Sequence, residues 1–386
     1  MNLRQRFLTM LMVIAASLGI AAVAQANATL IRWYKMGEQE GGTNNSPVST
    51  TLDSPVDGGD IQPLDLFATN TPTYRTITGR PDGGTGIGIE FNAASQQYLQ
   101  GDGLNWPQIS TLSDDNGGLY DLDGIDDRGF QLWVRPTSVA NQSIVRDTSQ
   151  HGLSIAGGRF TMTYAGASYS DLTQTVSANT WYHVEVVRPF GVAGGSRMYV
   201  NGVAVAVSST TSDYSGSAAV QALPLTVGSN LTADGEFFSG IVDDLRMFVM
   251  GTTTSPAQIN YGTFNYPADN AFAASPISGI KGIAGDVTNN GTFDNADKTA
   301  FINGWLQKRV INGVQIGDMA SRAQGDLNLD GITNIQDLLL MQNALTGAGL
   351  GTISLSELGV PEPATALLAL FAALPFPAAR RHRRIS

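Results

Sequence analysis

Residues 197–207, Arg197-Met-Tyr-Val-Asn-Gly-Val-Ala-Val-Ala-Val207, carry the strongest β-hairpin signal in the chain. Two apolar, strand-forming runs flank Asn201-Gly202, a dipeptide that tolerates positive φ at both corners of a tight turn. The stretch therefore predicts two antiparallel strands joined by a two-residue turn. No helical period of comparable length competes with it in the surrounding region.

The rest of the middle region, about residues 29–268, has the same character. Apolar residues alternate with polar or aromatic ones over residues 130–135 and 182–188, which is the period of a β-strand with one buried face. Glycine clusters at 83–88, 157–158 and 194–195 separate further short strands. This spacing of strands and turns predicts a sandwich of two antiparallel sheets.

Seven short stretches follow one another in the order seen in laminin-G-like, concanavalin A-like domains, and the region resembles that family. The stretches are Gly88-Ile-Glu-Phe91, Gln97-Tyr-Leu99, Phe130-Gln-Leu-Trp-Val-Arg-Pro136, Trp181-Tyr-His-Val184, Met198-Tyr-Val-Asn-Gly202, Leu225-Thr-Val-Gly228 and Gly240-Ile-Val-Asp-Asp-Leu-Arg246. The resemblance implies a mostly β fold, an antiparallel jelly-roll sandwich, for residues 27–268. Such domains bind carbohydrates or proteins, often with calcium near a loop rim, and a minority are glycosidases.

The enzymatic branch of this fold has a carboxylate pattern that the chain lacks. The laminarinase-like pattern is Glu-x-Asp-x-x-Glu on one strand, where alternation aims the carboxylates the same way, and that string is absent. The glutamates of the sandwich region are Glu38, Glu40, Glu90, Glu185 and Glu236. No nucleophile elbow and no cysteine is present. His183 lies mid-strand near a tryptophan, where it is expected to pack rather than to catalyse. We assign no catalytic and no cofactor-binding residue, and keep a glycoside hydrolase as the alternative.

Other polar residues of the sandwich favour structural roles. Of Asp243 and Asp244 in the last landmark strand, one is expected to face inward and to accept hydrogen bonds that hold the sheet. The segment Asp114–Asp127 is rich in aspartate and could hold a cation at the rim, with a solvated acidic loop as the alternative. No sugar-binding residue can be separated from core aromatics such as Trp106, Tyr120, Tyr164 and Tyr169.

Two twelve-residue stretches near the C-terminus, Asp286–Asp297 and Asp326–Asp337, have the spacing of calcium-binding loops. Such a loop uses positions 1, 3, 5, 7, 9 and 12 as ligands, the seventh through its backbone carbonyl, and needs glycine at position 6. Gly291 and Gly331 stand at position 6. The predicted ligands of two calcium ions are Asp286, Thr288, Asn290, Thr292, Asp294, Asp297, Asp326, Asn328, Asp330, Ile332, Asn334 and Asp337.

Each loop leads into a helical apolar pattern, and this repeat resembles the type I dockerin over residues 282–348. The expected buried stripes are Phe301, Trp305 and Leu306 in the first helix and Leu338, Met341 and Leu345 in the second. In dockerins, loop positions 10 and 11 read a cohesin partner, and here they are Asn295, Ala296, Ile335 and Gln336. The resemblance implies a possible cohesin-like partner, whereas calcium-coupled folding follows from the loops themselves.

Both ends of the chain carry targeting patterns. Arg4 and Arg6 precede an apolar run and a small-residue cleavage site, which predicts a signal peptide at residues 1–26, with an uncleaved anchor as the alternative. Residues 360–386 combine Val360-Pro-Glu-Pro363, an apolar segment and a basic tail, and resemble the PEP-CTERM sorting signal. That resemblance implies transient anchoring in the inner membrane and cleavage by an exosortase, with a plain C-terminal anchor as the alternative.

Charge and composition limit the possible partners. Six of the 22 Lys and Arg residues and one of the 33 acidic residues lie in the two targeting segments, so residues 27–360 carry a net charge of −16. Such a field repels phosphate backbones, which excludes nucleic acid as a partner. The chain has no cysteine, so disulfides cannot stabilise it and calcium is the available cross-link.

Together these patterns predict an exported, non-catalytic recognition protein at the cell surface or outside the cell. Its sandwich would bind a glycan or an extracellular protein, and a small α-helical, calcium-binding dockerin-like domain would dock a partner. Residues 269–281 and 349–359 are expected to be linkers. The alternative is a glycoside hydrolase that the dockerin-like domain attaches to a polysaccharide-degrading assembly.

Overall fold

The computed structural model describes nine stretches of the chain, which together contain the sandwich and the C-terminal module. They are residues 28–54, 65–101, 127–148, 151–164, 167–188, 196–208, 225–230, 232–250 and 283–359. The predicted signal peptide, nearly all of the acidic segment 114–127, the linker at 269–281 and the sorting signal at 360–386 lie outside these stretches. Trp106 and Tyr120 lie outside them as well.

The first eight stretches form a sandwich of short strands. In chain order the strands are β1 (Ala28–Tyr34), β2 (Thr50–Thr51), β3 (Leu66–Thr69), β4 (Thr73–Ile77), β5 (Gly86–Phe91), β6 (Tyr98–Gly101), β7 (Asp127–Pro136), β8 (Gln142–Thr148), β9 (His151–Ala156), β10 (Arg159–Tyr164), β11 (Ala167–Ser170), β12 (Tyr182–Arg188), β13 (Arg197–Val200), β14 (Val203–Val207), β15 (Thr226–Val227) and β16 (Gly240–Met250). A single 3-10 turn, Ala93–Ser95, lies between β5 and β6.

The strands form two antiparallel sheets. Sheet A has the order β14-β13-β12-β7-β16-β5-β4, and β1 pairs with the second half of β16. Sheet B has the order β11-β10-β9-β8-β15-β6-β3-β2. All seven landmark stretches lie in or directly beside strands, and the predicted two-sheet sandwich is confirmed.

The predicted hairpin is the β13–β14 pair. Val200 and Val203 are opposite each other in the register, and the turn residues Asn201 and Gly202 have φ values of 51° and 79°. Both values are left-handed, as a type I′ turn requires, and Asn-Gly is the dipeptide that adopts them with least strain. Because β14 ends the order of sheet A, this hairpin forms one edge of the sandwich.

The core lies between the two sheets and follows the predicted alternation. Phe130, Leu132 and Val134 of β7 are fully buried and pack with Val184 and Val186 of β12. Residues of sheet B, among them Leu153 and Phe160, cover them from the other side. Period two therefore places one face of each central strand in the inter-sheet core.

The expectation of a single buried face is wrong for β7 and β12. On the outer face, Gln131, Glu185 and His183 have only 1%, 1% and 3% of their surface exposed. His183 packs edge-on against Trp133, with ring centroids 5.2 Å apart, so its predicted packing role is confirmed. The alternation of residue types along a strand shows which positions are polar. It does not show that other parts of the chain cover the polar face.

The two aspartates of β16 both hold the sheet, although neither faces the inter-sheet core. Asp243 is opposite Trp133 on the outer face, is 2% exposed and forms an ion pair with Arg80. Asp244 has a φ of 56° within a β-bulge and accepts hydrogen bonds from Trp33 Nε1 at 2.6 Å and Arg246 Nε at 3.0 Å. The expected inward orientation is therefore wrong. Asp243 faces outward because it follows Val242, which lies in the inter-sheet core, and the bulge keeps Asp244 out of that core as well.

Residues 283–359 form a small, mainly helical module. Its elements are α1 (Asn295–Asn303), β17 (Val310–Ile311), β18 (Val314–Gln315), α2 (Met319–Arg322) and α3 (Ile335–Ala348). Leu338, Met341 and Leu345 of α3 pack with Phe301 of α1, as predicted. None of the helices in the described stretches is long and apolar enough to cross a membrane.

Two expectations for the module need correction. Leu306 is 61% exposed, because α1 ends at Asn303 and Gly304 takes the chain away from the helical stripe. Residues 349–359, expected as a linker, contribute Ile353 and Leu358 to the module's core. The folded module therefore continues to the end of the described chain.

Replacing Phe130 by alanine tests the inter-sheet core. Phe130 is fully buried, so Phe130→Ala should lower the free energy of unfolding of the sandwich by about 3–5 kcal/mol. The matched control is Phe67→Ala, at a phenylalanine that is 47% exposed, which should cost about 0.5 kcal/mol or less. Equal effects in urea unfolding of the two variants would contradict this assignment of the core.

Candidate metal centre

The two predicted calcium loops are the turns that lead into α1 and α3. Position 9 of each loop, Asp294 or Asn334, is the N-cap of its helix, and position 12, Asp297 or Asp337, is the third helical residue. The position-12 carboxylate accepts the N-cap backbone N–H at 2.9 Å in both loops. This reciprocal arrangement is a capping box, which satisfies backbone donors that a helix start would otherwise leave unpaired.

The position-12 aspartates also close the loops across their width. Asp297 Oδ1 accepts the backbone N–H of Thr288 at 2.9 Å, and Asp337 Oδ1 accepts that of Asn328 at 3.0 Å. Both aspartates are fully buried. Each position-12 side chain thus joins the beginning of its loop to the helix that follows.

The position-1 aspartates organise the middle of each loop. Asp286 accepts backbone N–H groups of residues 290 and 291 at 3.1 and 2.9 Å, and Asp326 accepts those of residues 330 and 331 at 3.0 and 2.7 Å. Both side chains are fully buried. The glycines Gly291 and Gly331 have φ values of 91° and 88°, which explains the need for glycine at position 6.

The second loop gathers three carboxylates. Oxygen atoms of Asp326, Asp330 and Asp337 all lie within 4.8 Å of one another. Asn328 and Asn334 donate from their side-chain amides to Asp330 Oδ2 at 3.0 and 3.4 Å. Three predicted ligands of the second loop, all of them carboxylates, therefore lie together, and two amide side chains bond to one of these carboxylates.

The first loop is less convergent. Thr288 Oγ1 donates to Asp297 Oδ1 at 2.9 Å and lies 3.4 Å from Asp286 Oδ1. Asn290 Oδ1 instead accepts from Thr292, and Asp294 accepts from the backbone of Ala296. Three predicted ligands of this loop, Asp286, Thr288 and Asp297, are therefore together, and only two of them are carboxylates. The side chains at positions 5 and 9 accept from neighbouring backbone in both loops.

Burial makes two carboxylates of the second loop, Asp326 and Asp337, hard to ionise. The pKa of Asp326 is raised to about 6 and that of Asp337 to about 7. Removal from water is the largest cause, neighbouring aspartates add to it, and hydrogen bonds from the backbone oppose it. Arg322 lies near the carboxylates of both loops, and burial lowers its pKa. It donates from Nη2 to the backbone carbonyl of Asp286 at 3.0 Å.

This donor set fits a hard divalent cation. All predicted ligands are oxygen atoms, which suits Ca²⁺ and disfavours metals that prefer nitrogen or sulfur. A bound dication would also offset the mutual repulsion of buried carboxylates, which Arg322 alone offsets in part. The second loop, with three convergent carboxylates, is the better-formed of the two centres.

Burial shifts the pKa values of two titratable groups on the outer face of sheet A. Burial lowers the pKa of His183 to about 3, so this imidazole stays neutral and cannot serve as a proton acceptor near pH 7. Burial also raises the pKa of Glu185 to about 8, and this carboxyl lies on the covered outer face of sheet A. Glu38 and Glu40, the close pair in the sequence, accept backbone N–H groups of Ile87 and Leu52.

Comparison with known families agrees with the sandwich fold. Residues 122–260 match the family described as the concanavalin A-like lectin/glucanases superfamily. The chain therefore contains a domain of this type, and the matched stretch runs through β7–β16. A sequence search of curated proteins finds no match.

Three solved structures with partial similarity to this chain come from different kinds of protein. Domain 4 of AbnA, an extracellular arabinanase of Geobacillus stearothermophilus in complex with arabinotriose, shares 18% identity over 60% of this chain and 97% of that domain, with a TM-score of 0.37. The Trypanosoma rangeli sialidase shares 11% identity over 57% of this chain and 30% of that chain, with a TM-score of 0.34. The binding domain of botulinum neurotoxin serotype D/C shares 10% over 57% and 48%, with a TM-score of 0.35. At these sequence identities and TM-scores, the ligands of those proteins are not assigned to this chain.

The raised pKa values predict an unusual pH dependence. The metal-free folded module binds protons more tightly than the unfolded chain between about pH 4 and 7, so its stability should fall as the pH rises through this range. Calcium competes with the same protons, so its affinity should rise over that range. Thermal unfolding in excess EDTA and in excess calcium, measured from pH 5 to 8, checks both trends. A melting temperature that calcium does not change at any pH would contradict the metal centre.

A reciprocal exchange at position 5 tests the difference between the loops. Asp330→Asn removes the third carboxylate of the second loop, and Asn290→Asp adds one at the equivalent position of the first. Because charge count tunes calcium affinity, we expect the tighter site to weaken by about tenfold in the first variant and the weaker site to tighten in the second. Calorimetric titration of both variants measures this. Unchanged affinity in Asp330→Asn would show that the triad does not bind the ion.

Proposed function

We propose that the chain is an exported, non-catalytic recognition protein. Its laminin-G-like sandwich binds a glycan or an extracellular protein, and its dockerin-like module binds two calcium ions through the predicted ligands. The observation that carries the proposal is the set of buried loop aspartates, Asp286, Asp297, Asp326 and Asp337, each fully removed from solvent. Such groups are stable as anions only beside a compensating cation.

Engagement of the sandwich glutamates supports binding over catalysis. A glycosidase needs two carboxylates across a cleft, one as acid and the other as base or nucleophile. Glu90 forms an ion pair with Arg75, and Glu236 accepts from Ser143 Oγ at 2.6 Å. Glu38 and Glu40 accept backbone N–H groups and Glu185 is covered, so each of the five glutamates of the sandwich is bonded within the protein or removed from solvent.

The rim of the sandwich offers a groove for a sugar. A groove of about 460 Å³ lies where β4 and β16 begin and where β5 and β7 end. Its lining is mainly hydrogen-bonding side chains: Thr73, Glu90, Asn92, Gln97, Thr137 and Ser239, with Phe91. Polar side chains on loops held by a rigid sheet suit the recognition of sugar hydroxyls. We place the glycan here.

Export and docking belong to the same proposal. Signal peptidase would remove residues 1–26, and an exosortase would act at the sorting signal of residues 360–386, so the protein would be held briefly in the inner membrane before release. Positions 10 and 11 of both loops, Asn295, Ala296, Ile335 and Gln336, are all exposed. Their exposure supports docking of a cohesin-like partner.

A glycan array, probed with the chain from residue 27 onward, tests the recognition function. We expect binding to at least one glycan, and Glu90→Gln should reduce it by about tenfold, because a hydrogen bond to a charged group is worth about 1.5–3 kcal/mol. The matched control is Glu40→Gln, in a second groove of about 450 Å³ beside Tyr74, which should bind normally. If only Glu40→Gln reduced glycan binding, the glycan site would lie in that second groove instead.

The rival function, a glycoside hydrolase, needs its own assay. Incubation with β-glucans and other polysaccharides should release no reducing ends beyond the background of heat-treated protein. Turnover that disappears when a glutamate or aspartate pair is mutated would replace recognition by catalysis as the function of the sandwich. The calcium centres would stand unaffected by that result.

A further inference from the structure

The C-terminal module covers the free edge of sheet A. The backbone N–H of Ala204 in β14 donates to Asp318 Oδ2 at 2.9 Å, and its carbonyl accepts from Arg309 Nη2 at 3.0 Å. The carbonyl of Val207 accepts from Asn312 Nδ2 at 3.1 Å. A bare edge strand is a site for unwanted strand pairing, and here side chains of the module occupy its backbone groups.

An apolar contact accompanies these hydrogen bonds. Ile316 and Leu329 of the module pack against the outer face of β12–β14 in one buried cluster. The sandwich residues of that cluster are Val187, Tyr199, Ala204 and Val207. The module is therefore joined to the sandwich by both polar and apolar contacts.

The segment that makes the edge contacts is also bonded to the second calcium loop. We name residues 308–318, which include the β17–β18 hairpin, the strap. Arg309 N donates to the Gly331 carbonyl at 2.9 Å, and Gln315 Nε2 donates to the Asp330 carbonyl at 2.8 Å. A side chain at Gly331 would collide with the backbone of Ile316. The strap thus lies between the second loop and the sandwich.

Leu329, at position 4 of the second loop, connects loop geometry with docking. Its φ is 57° and that of Asn289, at the same position of the first loop, is 54°. Asparagine tolerates this left-handed conformation, whereas leucine pays about 1–2 kcal/mol. Leu329 is nevertheless 4% exposed and lies in the contact with the sandwich. The backbone conformation of the closed loop therefore orients the Leu329 side chain towards β12–β14.

We propose that the second loop is a calcium-dependent latch between the module and its own sandwich. In its closed, cation-bound form the loop aims Leu329 at the sheet and holds the strap on β14. When calcium is withdrawn, repulsion among Asp326, Asp330 and Asp337 opens the loop, the strap leaves, and the edge of β14 becomes exposed. The inference rests on the proposed calcium binding and adds a role that is specific to the second loop.

Hydrogen exchange at Ala204 tests the latch, because the amide of this residue bonds to Asp318 across the interface. The chain from residue 27 onward is compared in excess calcium and in excess EDTA, with bound calcium counted by calorimetry in the same samples. We expect exchange at Ala204 to be at least about tenfold faster in EDTA. Unchanged exchange after measured loss of calcium overturns the latch and leaves the calcium centres standing. Absence of calcium binding overturns both.

A substitution separates docking from metal binding. Leu329→Asn places in the second loop the residue that the first loop already has at position 4, so the loop should close and bind calcium as before. Loss of the apolar contact should speed exchange at Ala204 by about tenfold even in excess calcium. The matched control is Leu339→Asn on the exposed face of α3, which should exchange like the unmodified chain.

A second variant tests the same interface in case Leu329→Asn does not fold. Arg309→Met removes the bonds to Ala204 and to Asp318, the latter at 2.5 Å, and keeps the backbone N–H that bonds to Gly331. It should also speed exchange at Ala204 while calcium binding persists. Exchange equal to that of Leu339→Asn in both interface variants would overturn the proposal.

Discussion

Four buried aspartates, at the first and last positions of the two loops, are the constraint on which the C-terminal module depends. Each accepts backbone N–H groups, so the loops and the starts of α1 and α3 are organised around carboxylates that are removed from water. Buried anions of this kind need a compensating charge. Arg322 supplies one near both loops, and a divalent cation in each loop would supply the rest.

The same constraint reaches the sandwich through a short chain of contacts. The backbone of the second loop bonds to the strap, and the strap bonds to the edge of β14. Leu329 adds the apolar part of this connection. A small module without disulfides thereby gains a larger folded neighbour, and the sandwich gains a cover for an edge strand.

The sequence predicted the features that local chemistry determines. The Asn201-Gly202 turn, the inward alternation of β7 and the spacing of the calcium loops each depend on a few adjacent residues, and the structure agrees with the first two and forms the loops as folded turns. The expected ligands of the second loop converge more than those of the first. Each loop has three aspartates among its predicted ligands, but the third is Asp330 at position 5 in the second loop and Asp294 at position 9, where it caps α1, in the first.

Features that depend on long-range packing escaped prediction. Gln131 and Glu185 look solvent-facing because they are polar, yet residues far away in sequence bury them. Leu329 stands between two predicted ligands as a residue with no assigned role, and only its tertiary contacts reveal what it does. The strap has no periodic pattern of its own. Its side chains bond to an edge strand more than 100 positions earlier in the sequence, so local sequence does not reveal its role.

Native mass spectrometry of the chain from residue 27 onward, before and after removal of calcium, is the most direct test of the central claim. We expect two calcium ions per chain near neutral pH and none after chelation, with one ion lost when Asp337 is replaced by asparagine. A mass that corresponds to the polypeptide alone, in the presence of calcium and with the fold intact, would contradict it.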